Sequence, residues 1–153
     1  MARYRASIET SWTPDEAFAY LSDFSTSAEW DPGVVEAERV GAQAAGEGTK
    51  FRLVAEFLGR QAPLTYQVVE YDRPRAVAFV GENATVVSRD RITFETIASG
   101  TRVTYDADLR LKGLLRLAGP LLALAFNRVG ARALAGLSEV LGRPAYGPGQ
   151  AAA

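Results

Sequence analysis

Between Val34 and Arg110 the chain passes through a series of short segments in which apolar and polar residues alternate, and it then closes with one long helical stretch. That order constrains the fold more than any other feature. Alternation at period two puts one face of each strand in water and the other against a core, so the segments read as an antiparallel sheet with a single buried side. Phe51, Leu53, Ala55 and Phe57 alternate with Arg52, Val54, Glu56 and Leu58, and Leu64, Tyr66 and Val68 continue the pattern. Ala76–Val80 is a short apolar strand. Ser88, Asp90, Ile92 and Phe94 oppose Arg89, Arg91, Thr93 and Glu95, and Val103, Tyr105, Ala107 and Leu109 oppose Arg102, Thr104, Asp106 and Asp108. Turn signals at Gly41, Gly59-Arg60, Asp72-Arg73-Pro74, Gly81–Ala84 and Ser99-Gly100 divide the strands. With the opening strand, where Tyr4, Ala6 and Ile8 alternate with charged or polar neighbours, the total is about seven.

Helices are marked just as locally. Thr13 precedes Pro14, Asp15 and Glu16, which is an N-cap, a proline in the first turn and acidic residues at the positive end of the dipole. Pro14, Ala17, Phe18 and Leu21 then share a face, predicting a helix to about Ser22, with a second short helix or turn over Asp23–Trp30. The long stretch runs from about Gly113 to Leu141. Its first part, Leu114–Phe126, is apolar nearly all round, whereas Val129, Ala133, Leu134, Leu137, Val140 and Leu141 form one stripe. Gly119-Pro120 predicts a break or kink between the two parts. Gly142-Arg143-Pro144 stops the helix, leaving 143–153 as a frayed tail to a single domain over 1–142. The class is α+β: only the terminal helix is long enough to cover the sheet, and a bent sheet around one helix leaves an internal cavity.

Composition removes whole classes of chemistry. The 153 residues include no His and no Cys, which excludes Ser-His-Asp and Cys-His machinery, disulfides and the usual zinc sites. Acid–base work falls to Asp, Glu, Tyr, Lys or Arg, and no cofactor or metal site is expected. A formal net charge of −1 gives no long-range field for nucleic acid or anionic lipid. Only two of the 17 cations are lysines, Lys50 and Lys112. The start of the chain lacks the apolar run of a signal peptide, and Leu114–Phe126 is too short to span a bilayer. The expectation is a cytoplasmic protein without stable membrane insertion.

The arrangement resembles the START-like superfamily, also called SRPBCC, in its polyketide cyclase and lipid-transport branch. The resemblance covers about residues 3–142. It rests on the opening strand, Thr13-Pro14-Asp15-Glu16-Ala17-Phe18, Leu21-Ser22-Asp23, Glu29-Trp30, Gly46-Glu47-Gly48-Thr49, Val68-Val69-Glu70-Tyr71-Asp72-Arg73-Pro74, and the long terminal helix. It implies a helix-grip fold with a hydrophobic cavity, in a group of lipid, sterol, quinone and polyketide binders that includes a minority of enzymes. It also implies that the loop Gly41–Lys50, whose glycines lack the lysine and hydroxyl of a phosphate cradle, stands near the cavity entrance.

The residues expected to line the cavity are Trp30, Phe51, Leu53, Phe57, Tyr66, Phe79, Ser88, Asp90, Ile92, Tyr105, Leu122 and Phe126. Each has a plainer reading as core. Trp30 is either an anchor beneath the small helices or a wall of the cavity mouth; Trp12 is a packing residue at the strand–helix corner. Asp90 is the most informative, because alternation places it inward, where a carboxylate is costly unless paired or neutralised. It is a structural group satisfied by a partner, by water or by a bulge that turns it outward, or else a polar anchor or proton-transfer group. Arg52, Arg89, Arg91 and Arg102 read as a solvated convex face. Leu114–Phe126 is either a lid over the cavity or a seam against the N-terminal helices or a second subunit.

Together these readings favour non-catalytic binding or transport of a small hydrophobic molecule. The rivals are a cyclase, aromatase or dehydratase in which Asp90, Tyr66 or Tyr105 moves a proton, and an interaction module docking through 114–126. The expected partners are a small hydrophobic molecule and, on the seam reading, a second copy in a homodimer; nucleic acid is not among them.

Overall fold

A computed structural model describes residues 2–57 and 59–144; the expected tail, apart from Arg143 and Pro144, lies outside the described residues. Seven strands form one antiparallel sheet: β1 (Ala2–Thr10), β2 (Val34–Val40), β3 (Lys50–Phe57), β4 (Arg60–Asp72), β5 (Ala76–Glu82), β6 (Val86–Ile97) and β7 (Gly100–Leu111). Their spatial order is β1-β7-β6-β5-β4-β3-β2, so the chain meanders across the sheet and returns its first strand beside its last. Three helices, α1 (Pro14–Ser22), α2 (Ser27–Trp30) and α3 (Gly119–Leu141), join two 3-10 segments, Phe24–Thr26 and Gly113–Ala118.

Register decides which side chains enter the core, since a one-residue slip reverses every face. β5, β6 and β7 pair without a shift, with Asp90 opposite Phe79 on one side and Ala107 on the other. Alternation therefore survives along β6, and Ser88, Asp90, Ile92 and Phe94 are all buried. The irregularities lie elsewhere, between Val34 and Glu36 on β2 and between Val68 and Glu70 on β4. The outer face carries ion pairs joining Arg3 to Asp106, Arg91 to Glu70, and Arg102 to Glu9 and Glu95. At this exposure solvent screens them, so they favour register but do not hold the fold.

The concave face is covered in two halves. At one end α1 and the 3-10 segment after it drive aromatics into the groove. Phe18 meets Tyr71 and Phe94 edge-on at 5.1 and 5.4 Å, and Phe24 stacks on Phe79 at 4.2 Å. The N-cap read at Thr13 is extended by Glu16 into a capping box: Glu16 N–H donates to Thr13 Oγ1 and Thr13 N–H to Glu16 Oε2. The other end is covered by α3. A Cβ on Gly136 would collide with the Trp30 carbonyl oxygen, so α3 presses on α2 at a distance only glycine permits. The C-terminal end of α3 is tied back to the start of the chain. Thr10 Oγ1 donates to the Leu141 carbonyl at 2.6 Å and Trp12 Nε1 to the Arg143 carbonyl at 2.6 Å, partnering oxygens left open by the helix and the turn after it.

The expected break at Gly119-Pro120 takes a definite form. Gly113–Ala118 winds as a 3-10 segment and the α-helix starts at Gly119. The side chains of this stretch divide between two environments. Leu122 is buried and Phe126 half-buried, while Leu114, Leu115, Leu117, Leu121 and Leu124 lie exposed.

Candidate functional site

Because the aromatics of α1 and the following turn fill only one end of the groove, the other end stays open beneath α3. It forms a cavity of about 290 Å³ whose walls are mostly apolar. This is near the lower end of ligand sites, which run from roughly 300 to 1,000 Å³.

The extent of the cavity can be followed strand by strand. On β6, Val86, Ser88 and Asp90 line it, whereas Ile92, the next inward residue, does not. On β7, Leu111, Leu109, Ala107 and Tyr105 line it, and Val103 does not. On β3 and β4 the lining reaches Leu53 and Tyr66 but stops short of Phe51 and Val68. The cavity thus runs along the strands from the exposed or half-exposed Phe57, Arg60, Asn83 and Thr85, which mark its mouth, to a blind end at the buried Tyr66, Asp90 and Tyr105.

At that end the Tyr105 hydroxyl donates to Asp90 Oδ1 at 3.0 Å and Ser88 Oγ donates to Asp90 Oδ2 at 3.0 Å. Both carboxylate oxygens are thereby hydrogen-bonded without a cation. Burial pushes the Asp90 carboxyl up to about 6, with the donors from Tyr105 and Ser88 pulling the other way. The hydroxyls of Tyr66 and Tyr105 are both raised, first by burial and then by the negative Asp90, so they act as neutral donors and acceptors. Asp31 also faces the cavity. Its Oδ1 accepts from Gly33 N–H at 2.8 Å, and burial raises its carboxyl above the ordinary aspartate value. The inner end therefore offers hydroxyls and carboxyls but no buried cation among the described residues. No group of three or more metal-ligating side chains is gathered among those residues.

Eight of the expected residues meet at this cavity: Leu53, Phe57, Tyr66, Ser88, Asp90, Tyr105, Leu122 and Phe126. Four do not. Phe51 and Phe79 point inward but lie under Phe24, with ring centroids 6.5 and 4.2 Å from it. Ile92 is fully buried beyond Asp90, outside the lining. Trp30 is buried behind the wall, its ring edge-on to Tyr105 at 5.8 Å and its Nε1 without a hydrogen-bond partner among the described residues. The loop before β3 is not at the mouth either: Gly46 and Thr49 border a separate cleft with Ala19, Ser22 and Asp23 on the α1 side. Sequence reasoning also missed cavity residues. Asp31 looks like an ordinary turn aspartate before Pro32-Gly33, and Val129, Ala133 and Leu134 look like a packing stripe. The signal available for the latter was that small and medium residues fill this stripe where larger ones would close the space.

Residues 1–142 match the model of a family described as "Polyketide cyclase / dehydrase and lipid transport". No curated protein matches the chain. Several solved structures share the fold. A protein from Thermus thermophilus is similar over 91% of this chain and 96% of its own, with a TM-score of 0.76 and 20% identity. A START superfamily protein from Mycobacterium smegmatis covers 92% of this chain and 97% of its own, at 0.77 and 13%. The Zhui aromatase/cyclase from a Streptomyces species covers 91% and 90%, at 0.70 and 14%. At these identities the structural likeness establishes the START-like helix-grip architecture alone.

Proposed function

Since the chain belongs to the polyketide cyclase/dehydrase and lipid transport family, we propose that it binds one small, mostly apolar molecule in this cavity and carries or senses it without transforming it. The observation that carries the reading is the pairing of apolar walls with a polar blind end. A ligand with a hydrocarbon or aromatic body and one hydrogen-bonding head satisfies both. The head would sit against Asp90, Tyr105 and Tyr66. A carboxylate or phosphate head is disfavoured there, because Asp90 and Asp31 face it and no buried cation among the described residues would offset the charge. A hydroxyl, phenol, carbonyl or amine fits.

Native mass spectrometry of gently purified protein, followed by solvent extraction, tests this. A bound species of small-molecule mass is expected, or, for protein recovered empty, saturable binding from a panel of fatty acids, fatty alcohols, quinones and hydroxylated aromatics. Empty protein that binds none of them would sink the proposal, and tighter binding of fatty acids than of the matching alcohols would sink the assignment of the head.

The enzyme reading has a specific observation in its favour. A carboxyl whose pKa lies near 6 and which shares a hydrogen bond with a tyrosine is suited to proton transfer at neutral pH. Two structural neighbours are named aromatase/cyclase or ARO/CYC, which lends the same support. On that reading Asp90 takes a proton next to a ligand carbonyl and Tyr66 or Tyr105 donates to the oxygen, while the cavity holds the chain folded. Asp90→Asn separates the two: turnover lost with affinity retained marks an enzyme.

A further inference from the structure

The leucines around the cavity mouth point in two directions. Leu122 and Phe126 face the cavity. Leu114, Leu117, Leu121 and Leu124 face solvent with 87, 84, 77 and 58% of their surface exposed. A monomer seldom leaves so many large apolar side chains together in water.

Their surroundings are basic. From Leu109 to Ser138 the sequence carries Arg110, Lys112, Arg116, Arg128 and Arg132 and no Asp or Glu, so the whole-chain balance of −1 conceals a segregated positive face. At about 100° per residue, Leu121, Leu124, Arg128 and Arg132 fall within one arc of about 80° on the solvent side of α3. Arg116 donates to the Gly113 carbonyl, which holds it beside Leu114 and Leu117. Lys112 is engaged by Glu82, and Glu56 borders the same surface cleft as Arg128 and Arg132. Among the described residues no ion pair involves Arg116, Arg128 or Arg132.

We propose that this face, the 3-10 segment and the first half of α3, docks reversibly on an anionic lipid bilayer, with the leucines in the interfacial zone and the arginines against head-group phosphates. Charge selects the occupant. A second copy seated two-fold on this face would bring Arg128 and Arg132 towards their own equivalents with no acidic residue in the segment to oppose them. A bilayer supplies an apolar layer bordered by anions, the same pairing in complementary form. The attachment is peripheral, since no helix among the described residues is long and apolar enough to cross a membrane. The face lies beside the cavity mouth, so an apolar molecule could pass between lipid and cavity with little exposure to water.

Flotation of the full chain with vesicles tests this. Vesicles of phosphatidylcholine are compared with vesicles of phosphatidylcholine and phosphatidylglycerol, at low and high salt. Binding to the anionic vesicles is expected to be about tenfold tighter or more, and to fall as salt screens the arginines. The pair Leu121→Ser with Leu124→Ser should weaken it about tenfold, and Arg128→Gln with Arg132→Gln should remove the preference for anionic lipid. Both pairs lie on the surface, so thermal unfolding should stay near that of the parent. Failure to float with either vesicle at low salt, equal flotation with both, or unchanged binding by the leucine pair overturns the proposal. A stable dimer that the leucine pair dissociates overturns it in favour of a second copy.

Discussion

Asp90 sets the chemistry of the cavity's inner end, and its environment makes a prediction whose sign can be worked out. Its carboxyl rises from an ordinary 3.8 to about 6 in the fold. The folded chain therefore holds more protons than the unfolded one between about pH 4 and about pH 6, and stability falls as pH rises through that window. The effect is complete above about pH 6 and amounts to about 3 kcal/mol at most. Asp31 is shifted in the same direction, whereas Asp106 and Glu70, lowered by Arg3 and Arg91, lose stability only under more acidic conditions. Urea unfolding of Asp90→Asn should show a shallower decline across the window than the parent; parallel curves would show that Asp90 titrates normally. The orientation of Asp90 was legible in the sequence because β6 has no bulge to reverse it. Asp31 was not, because its place in a turn says nothing about which cavity that turn borders.

At the scale of elements, local signals carried the helices: the N-cap at Thr13, the break at Gly119-Pro120 and the stop after Leu141 all appear where the residues place them. What alternation could not supply was position along the groove. Phe51, Phe79 and Asp90 share one face, yet only Asp90 reaches the cavity, because Phe24 lies over the other two. Which strand end a short helix will plug depends on tertiary contacts that a period of two does not encode. The seating of α3 on α2 rests on Gly136, where a side chain would meet the Trp30 carbonyl. Gly136→Ala should lower stability by about 1–3 kcal/mol through forced displacement of the helix. Thermal denaturation measures this, and an unchanged midpoint would mean that α3 has room to move.

For the whole molecule, the cavity is a packing deficit that the fold tolerates. Ala107 sits beside Asp90 on the neighbouring strand and faces the space. Ala107→Leu should fill part of it at little cost, within about 1 kcal/mol of the parent and on the stabilising side if the added methyls find contacts. Calorimetric titration with whichever ligand the panel yields should show binding at least about tenfold weaker. Undiminished affinity would place the ligand elsewhere. Net charge misled at this scale: a chain of −1 spreads its acids over the strands, α1, α2 and the loops while residues 109–138 carry none. A sum over the sequence has no geometry, and only the fold showed where the cations gather.

The blind end of the cavity has one more consequence. A groove stopped at one end and open at the other reads a molecule from a single origin, as a ruler does, with zero at Tyr105 and Tyr66. Differences near the origin, such as a hydroxyl replaced by a methyl, leave buried groups unpaired and are rejected strongly. Differences at the far end would project past Phe57 and Arg60 into solvent. On the binding reading proposed above, such a protein would be strict about how its guest begins and indifferent to how it finishes, and would recognise a homologous series of molecules rather than one member.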